Sequence, residues 1–219
     1  MNKSILRNIS KSKLAILTVF IILFLDQSLK IWIKTHMFLG QEIHVFGNWF
    51  IIHFTENNGM AFGYEFAGNF GKIFLSLFRI FAVAIIAWYL HKLIKSNAPT
   101  IVVICVSLIF AGAIGNIIDS AFYGMIFNES YYQIASLFPE GGGYSSFLHG
   151  KVVDMLYFPV ISGHFPQWFP FWKSQEFIFF RPIFNIADSS ISIGVFLIIF
   201  FQRKFFKDYD KKPKNEIIN

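Results

Sequence analysis

Residues 184–201 read FNIADSSISIGVFLIIFF, polar at one end and suited to lipid from Ile191 onward. A carboxylate inside a bilayer is costly and is kept there for pairing or for function. Asp188 therefore calls for a partner, and the other acid set in an apolar run is Asp154, in GKVVDMLYFP. Working outward from this pair, the chain reads as a membrane protein with a polar site at the mouth of a helix.

Composition agrees. Of 219 residues, 55% are hydrophobic and 15% charged, mean hydropathy is +0.53, and there are 30 Phe and five Trp. That balance excludes a soluble globule and suits lipid-facing helices with aromatic belts. The net charge of +6 comes from Lys and Arg gathered at the chain ends and in one short loop. Nucleic-acid binding is not expected, because these cations do not interleave with exposed aromatics. Cys105 is the only cysteine and lies in an apolar run, which leaves no disulfide framework and no thiolate metal site. The six His show no HExxH spacing and no Gly-rich phosphate loop occurs, so competing metal-dependent and phosphate-binding chemistries have thin support.

A spanning helix needs roughly 20 mostly apolar residues. Four stretches qualify: about 14–33, 70–90, 100–118 and 184–201. Basic residues precede the first (Lys3, Arg7, Lys11, Lys13), but no small-residue cleavage site follows, so it is read as a retained span. The loop HKLIKSNAPT and the tail QRKFFKDYDKKPKN are also basic, and the positive-inside rule places both termini and this loop in the cytoplasm. Asp26, Lys30, Asn58, Asn116, Asp119, Asn185 and Asp188 then all fall toward the outer leaflet. The expected fold is an α-helical polytopic membrane protein of one domain. It carries four transmembrane helices, a small extracytoplasmic β-sheet within 35–69, and an interfacial aromatic segment within the second external stretch, 120–183.

Each polar cluster has a plain reading beside a functional one. Asp26 and Lys30 stand four apart on one helix face and suit a structural ion pair. Asn58–Gly59 is a turn, a helix cap, or an amide offered to a peptide. In AGAIGNIIDS, Gly112, Ala113 and Gly115 let a helix or ligand approach closely, and Asn116 and Asp119 share a face. Asp119 opposes the macrodipole at a helix C-terminus and needs a donor. Asp154 and Asp188 are either unrelated acids or a general acid/base pair sharing a proton. A proton-coupled carrier for a small solute is the alternative class, disfavoured by the one-sided clustering and the lack of inverted repeats.

In chain order the motifs are DQxxK (Asp26 to Lys30), NxGxAF (assigned to Asn58 to Phe62), GAxGNxxD (Gly112 to Asp119), VVD (Val152 to Asp154) and FNxAD (Phe184 to Asp188). This set resembles bacterial lipoprotein signal peptidase, or signal peptidase II. The resemblance implies an intramembrane aspartyl endopeptidase of the bacterial inner membrane, with no cofactor. Its substrates would be diacylglyceryl-modified prolipoproteins, cut before the lipid-bearing cysteine. It further implies Asp154 and Asp188 as the catalytic pair, with Asn58, Gly59, Asn116, Asp119 and Asn185 around the substrate. A monomer in membrane lipid, with its site near the outer leaflet, is expected. Two departures stand out. Ser120 takes the place of the arginine that usually follows the GNxxD aspartate, with Lys151 and Arg181 as substitute cations. In addition, 34 residues lie between Asp119 and Asp154, so an insertion at about 121–150 must leave and return.

Overall fold

The computed structural model describes residues 10–58, 68–96, 98–159, 161–164, 166–168, 176–179 and 182–207. The chain divides into two compact units. One comprises Met1–Ser28, Asn69–Ile118 and Ile186–Asn219; the other comprises Leu29–Gly68 and Asp119–Asn185.

The first unit is helical, built from the opening turns of α1 (Lys11–His36), with α2 (Gly68–Lys95), α3 (Thr100–Ile118) and α5 (Ile186–Lys207). Among the described residues three stretches are long and apolar enough to cross a membrane: Lys11–His36, Gly71–Lys95 and Thr100–Ile126. The apolar part of the last helix, Ile186–Phe201, is shorter. Large rings stand exposed one turn apart, Phe20 stacking on Phe24 and Phe196 on Phe200, as suits surfaces that meet lipid. Inside, Ala15, Leu90, Leu93, Val102, Val103 and Val106 form a common core. Cys105 is buried and unoxidised.

Small residues bring α3 and α5 into backbone contact. A Cβ on Gly112 would collide with the carbonyl of Ala187, and one on Gly194 would lie 2.6 Å from that of Cys105. Ser190 Oγ donates to Leu108 O at 3.1 Å across this seam. The small-residue face read in AGAIGNIIDS is thus a helix-packing surface.

The second unit holds a four-stranded antiparallel sheet in the order β1-β2-β3-β6: β1 (Glu42–Phe46), β2 (Phe50–Asn57), β3 (Val152–Tyr157) and β6 (Ile183–Phe184). Gly47, at φ +52°, allows the tight β1–β2 connection. β4 (Ile161–His164) and β5 (Glu176–Phe179) form a separate hairpin. The aromatic segment expected to lie on the membrane surface falls mostly outside the described residues. The sheet corrects one boundary: Phe184, read as the start of a span, pairs with Leu156 in β6, and the helix begins at Ile186.

After α3 the chain takes a π-helical turn, Asp119–Tyr123, then a short helical turn, α4 (Gly124–Ile126). The insertion folds back onto this extension: Phe138 N donates to Ile126 O at 2.7 Å, Ser145 N to Gly124 O at 2.7 Å and Gly150 N to Ser120 O at 2.8 Å. A Cβ on Gly150 would strike the carbonyl of Asp119.

Candidate active site

Val152, Val153, Asp154 and Met155 are buried in succession, so β3 has both faces covered. A carboxylate there needs a donor. Asn185 supplies it: its Nδ2 donates to Asp154 Oδ1 at 2.7 Å and to Val153 O at 3.3 Å. Asn185 precedes the helix instead of lying on its face, because the backbone is still leaving β6 at that point. From the other side Asp119 Oδ2 accepts the Val153 amide at 3.2 Å and pairs with Lys30 Nζ at 2.8 Å, both side chains fully buried. Lys30 is thus the donor that a carboxylate at a helix C-terminus requires.

In the helical unit Asp188 lies in the first turn of α5, where the helix dipole favours an anion. Asn116 Nδ2 donates to Asp188 Oδ1 at 2.8 Å. Asp26, buried, accepts the Ala187 amide at 2.9 Å and so satisfies one of that helix's unpaired N–H groups. Gln27 braces Asp26 at 3.0 Å and reaches Gly115 O at 3.2 Å. Asp26, expected from its spacing to pair with Lys30, thus helps to set the amino end of α5.

Of the remaining expected residues, Asn58 is exposed just beyond β2, and Gly59 lies outside the described residues. The spacing Asn-x-Gly-x-Ala-Phe in fact begins one residue earlier. Asn57 closes β2 opposite Val152, two register positions from the Thr55–Asp154 pair, with Glu56 opposite Val153 between them. Arg181 lies outside the described residues.

Lys151 is committed elsewhere, in a charge cluster that sequence reading missed. Buried Glu56 accepts from Lys34 Nζ at 2.6 Å through Oε1, while Lys151 Nζ lies 3.2 Å from its Oε2. Lys34 also reaches Ser130 Oγ at 2.8 Å, and Lys151 pairs with Glu129 at 3.1 Å. Both ammonium groups lie 5.0 Å from the Tyr144 ring centroid. Burial raises the Glu56 carboxyl, but Lys34 and Lys151 outweigh it and hold the group below its ordinary 4.5. Burial lowers the Lys151 ammonium, and Glu56 with Glu129 hold it above 10.5. Burial pushes the Tyr144 phenol well above its usual value. The missed signal was Lys34 itself, one turn after Lys30 and next to buried Ile33: two lysines on one apolar face need buried acids.

Solved structures with this fold include a bacterial membrane enzyme determined by the in meso method at 2.3 Å resolution. It has a TM-score of 0.58 and 27% identity, covering 91% of this chain and 92% of that one. The class is thus a helical membrane enzyme carrying a small sheet. A family model described as Signal peptidase (SPase) II matches residues 18–203. Lipoprotein signal peptidase of Porphyromonas gingivalis is 53% identical over 197 residues, 90% of this chain and 85% of that protein. The enzyme of the same name from Amoebophilus asiaticus is 39% identical over 182 residues, 82% and 73% of the two chains. The chain belongs to the signal peptidase II family of aspartic peptidases.

Proposed function

We propose that this peptidase removes signal peptides from diacylglyceryl-modified prolipoproteins, cutting on the amino side of the lipidated cysteine, with Asp154 and Asp188 as a general acid/base pair. The observation that carries the reading is the matched support of the two acids. Each has one carboxylate oxygen held by an asparagine amide, at 2.7 Å from Asn185 and 2.8 Å from Asn116. Asn185, the donor to Asp154, lies three residues before Asp188 along the chain.

An amide donor favours the ionised carboxylate and fixes which oxygen faces the reacting atoms. The ionised member takes a proton from water, whose oxygen attacks the scissile carbonyl. The protonated member gives its proton to the leaving nitrogen as the C–N bond breaks. Sharing one proton requires the two carboxyls to come within about 4–6 Å in the working enzyme. Neither metal nor cofactor enters these steps. Asn57 or Asn58, Asn116 and Asp119 border the substrate in this reading.

The apolar helix Ile186–Phe201 serves as the fourth span, the termini are cytoplasmic, and the site lies near the outer leaflet of the inner membrane, where a lipid-anchored substrate enters sideways. The purified chain, acting as a monomer, is expected to cleave a diacylglyceryl-modified prolipoprotein peptide and to spare the unmodified one. Equal cleavage of both would remove the lipid requirement, and cleavage of neither would remove the function. A cysteine placed at position 144 and labelled only from the cytoplasmic side would overturn the orientation.

A further inference from the structure

The inserted segment 128–150 exposes more large apolar surface than a water-facing loop requires. Tyr132 is 85% exposed and Phe138 73%, with Tyr131, Ile134 and Phe147 also exposed. Exposed apolar groups gathered in this way mark an interaction surface. The backbone is strained at the same places: Tyr132 has φ 57° and Phe138 φ 52°. Bulky residues rarely adopt this left-handed conformation, and such strain persists only where the surroundings enforce it. Here the strain turns rings outward.

The segment is also firmly held at its base. Ser130 Oγ is bonded to Lys34 and to Glu56, at 2.8 and 3.1 Å, and Glu129 is paired with Lys151 at 3.1 Å. Backbone bonds tie Ala135 N to Lys34 O at 3.1 Å and Leu39 N to Ser130 O at 3.0 Å. Residues 129, 130 and 135 are therefore pinned to the last turn of α1 and the residues just after it. Lys11–His36 is a candidate membrane span, and Ile31 and Trp32 stand exposed one turn before this attachment. The exposed rings thus belong to a segment tied to the end of that candidate span. Tyrosine, with an apolar ring and a polar tip, suits that level. Residues 128–150 contain Glu129 and Glu140 but no Lys or Arg, so attraction to anionic lipid plays no part.

We propose that residues 128–148 are an interfacial anchor whose rings at Tyr131, Tyr132 and Phe138 enter the headgroup layer of the bilayer that α1 crosses. Anchoring depends on the rings alone, so it holds in zwitterionic lipid and at high salt. Its use, which rests on the peptidase function proposed above, is to hold the sheet unit against the leaflet that presents the lipid-anchored substrate.

The test uses the full chain in phosphatidylcholine vesicles, with nitroxide labels on Tyr131→Cys, Tyr132→Cys, Phe138→Cys and, as a water-facing reference, Gly141→Cys. Fully buried Cys105 is left in place. Collisions with oxygen, concentrated in lipid, are compared with collisions with a water-soluble nickel chelate. Labels at 131, 132 and 138 are expected to favour oxygen and the label at 141 nickel, with no change at high salt. Position 131 keeps the test valid if either left-handed site rejects substitution. Nickel-dominated collisions at 131 and 138 would overturn the anchor. So would labels that are wet in vesicles yet shielded in native membranes, which would point to a protein partner. In a second arm, Tyr132→Ser/Phe138→Ser raises KM for the diacylglyceryl peptide in vesicles, leaves kcat unchanged, and alters neither in detergent. Absence of cleavage by the unaltered chain would sink the peptidase reading while the label result stood by itself.

Discussion

The two units support their acids by different physics. In the helical unit Asp188 is held by a neutral amide on helices brought together by glycine, and Asp26 lies against a backbone N–H and the Gln27 amide. In the sheet unit Asp154 lies on a strand bordered by ion pairs: buried Lys30 with Asp119, and buried Lys34 and half-buried Lys151 with Glu56. Steric fit responds to added volume and hardly to pH. Buried ion pairs fail when one partner is removed or titrated. A single reaction that draws on both supports should therefore be breakable in two distinguishable ways.

The largest effect tests whether the two acids act together at all. Asp154→Asn and Asp188→Asn are each expected to lower kcat by about 10²–10⁴, the usual contribution of acid/base catalysis, with helical content unchanged by circular dichroism. The double variant should be no slower than the worse single one, because parts of one machine do not add. Additive losses would separate the acids into unrelated roles.

Next comes steric support. Gly112→Leu drives a side chain into the Ala187 carbonyl and is expected to cost roughly 3 kcal/mol by thermal unfolding in detergent. A well-folded, active Gly112→Leu enzyme would show that α3 and α5 are not held by close approach. The amide supports follow: Asn116→Ala and Asn185→Ala each remove a hydrogen bond to a carboxylate, worth about 1.5–3 kcal/mol. Steady-state kinetics should show kcat falling about 10–100-fold in each. Unequal losses would reveal which acid depends more on its orientation.

The smallest effect sharpens the electrostatic side. Glu56 is held below 4.5, so its contribution to stability is present above that pH and is lost as pH falls through the lowered value. Lys151 is held above 10.5, so its contribution is complete below that pH and is lost as pH rises through the raised value. Unfolding temperatures measured against pH should show both limbs, and Glu56→Gln should flatten the acid one. An acid limb unchanged in that variant would place the titrating group elsewhere.

Much of this arrangement was legible because its parts are local in sequence. Asp188 opening an apolar helix, Asn116 and Asp119 on one face, and Gly112 beside Gly115 all follow from residue type and spacing. The return of the insertion was legible from its length. Its hydrogen bonds to the π-helical turn were not, since they depend on backbone groups that carry no composition signal. Two-residue β6 is too short for any periodicity, so Phe184 and Asn185 were read as helix. Lys34 was passed over because its partner Glu56 lies 22 residues away, in a strand whose register only the fold supplies. Asp26 was read beside its nearest opposite charge, whereas its bond to Ala187 spans 161 residues.

That last distance has a consequence for how the enzyme comes into being. The carboxylate that seats the amino end of α5 is made first, and its amide partner follows 161 residues later. At about 5–20 residues per second, Asp26 waits roughly 8–32 s on the ribosome's schedule before Ala187 exists. During that interval the nascent chain gains α1 and Asn116 but not α5, and so lacks the Asn116–Asp188 hydrogen bond. With Asp188 in its proposed role, a chain truncated before residue 186 is expected to be inert in a peptide-cleavage assay. On the proposed mechanism peptidase activity therefore cannot precede the making of α5, and its onset is timed by the separation of one carboxylate from one amide.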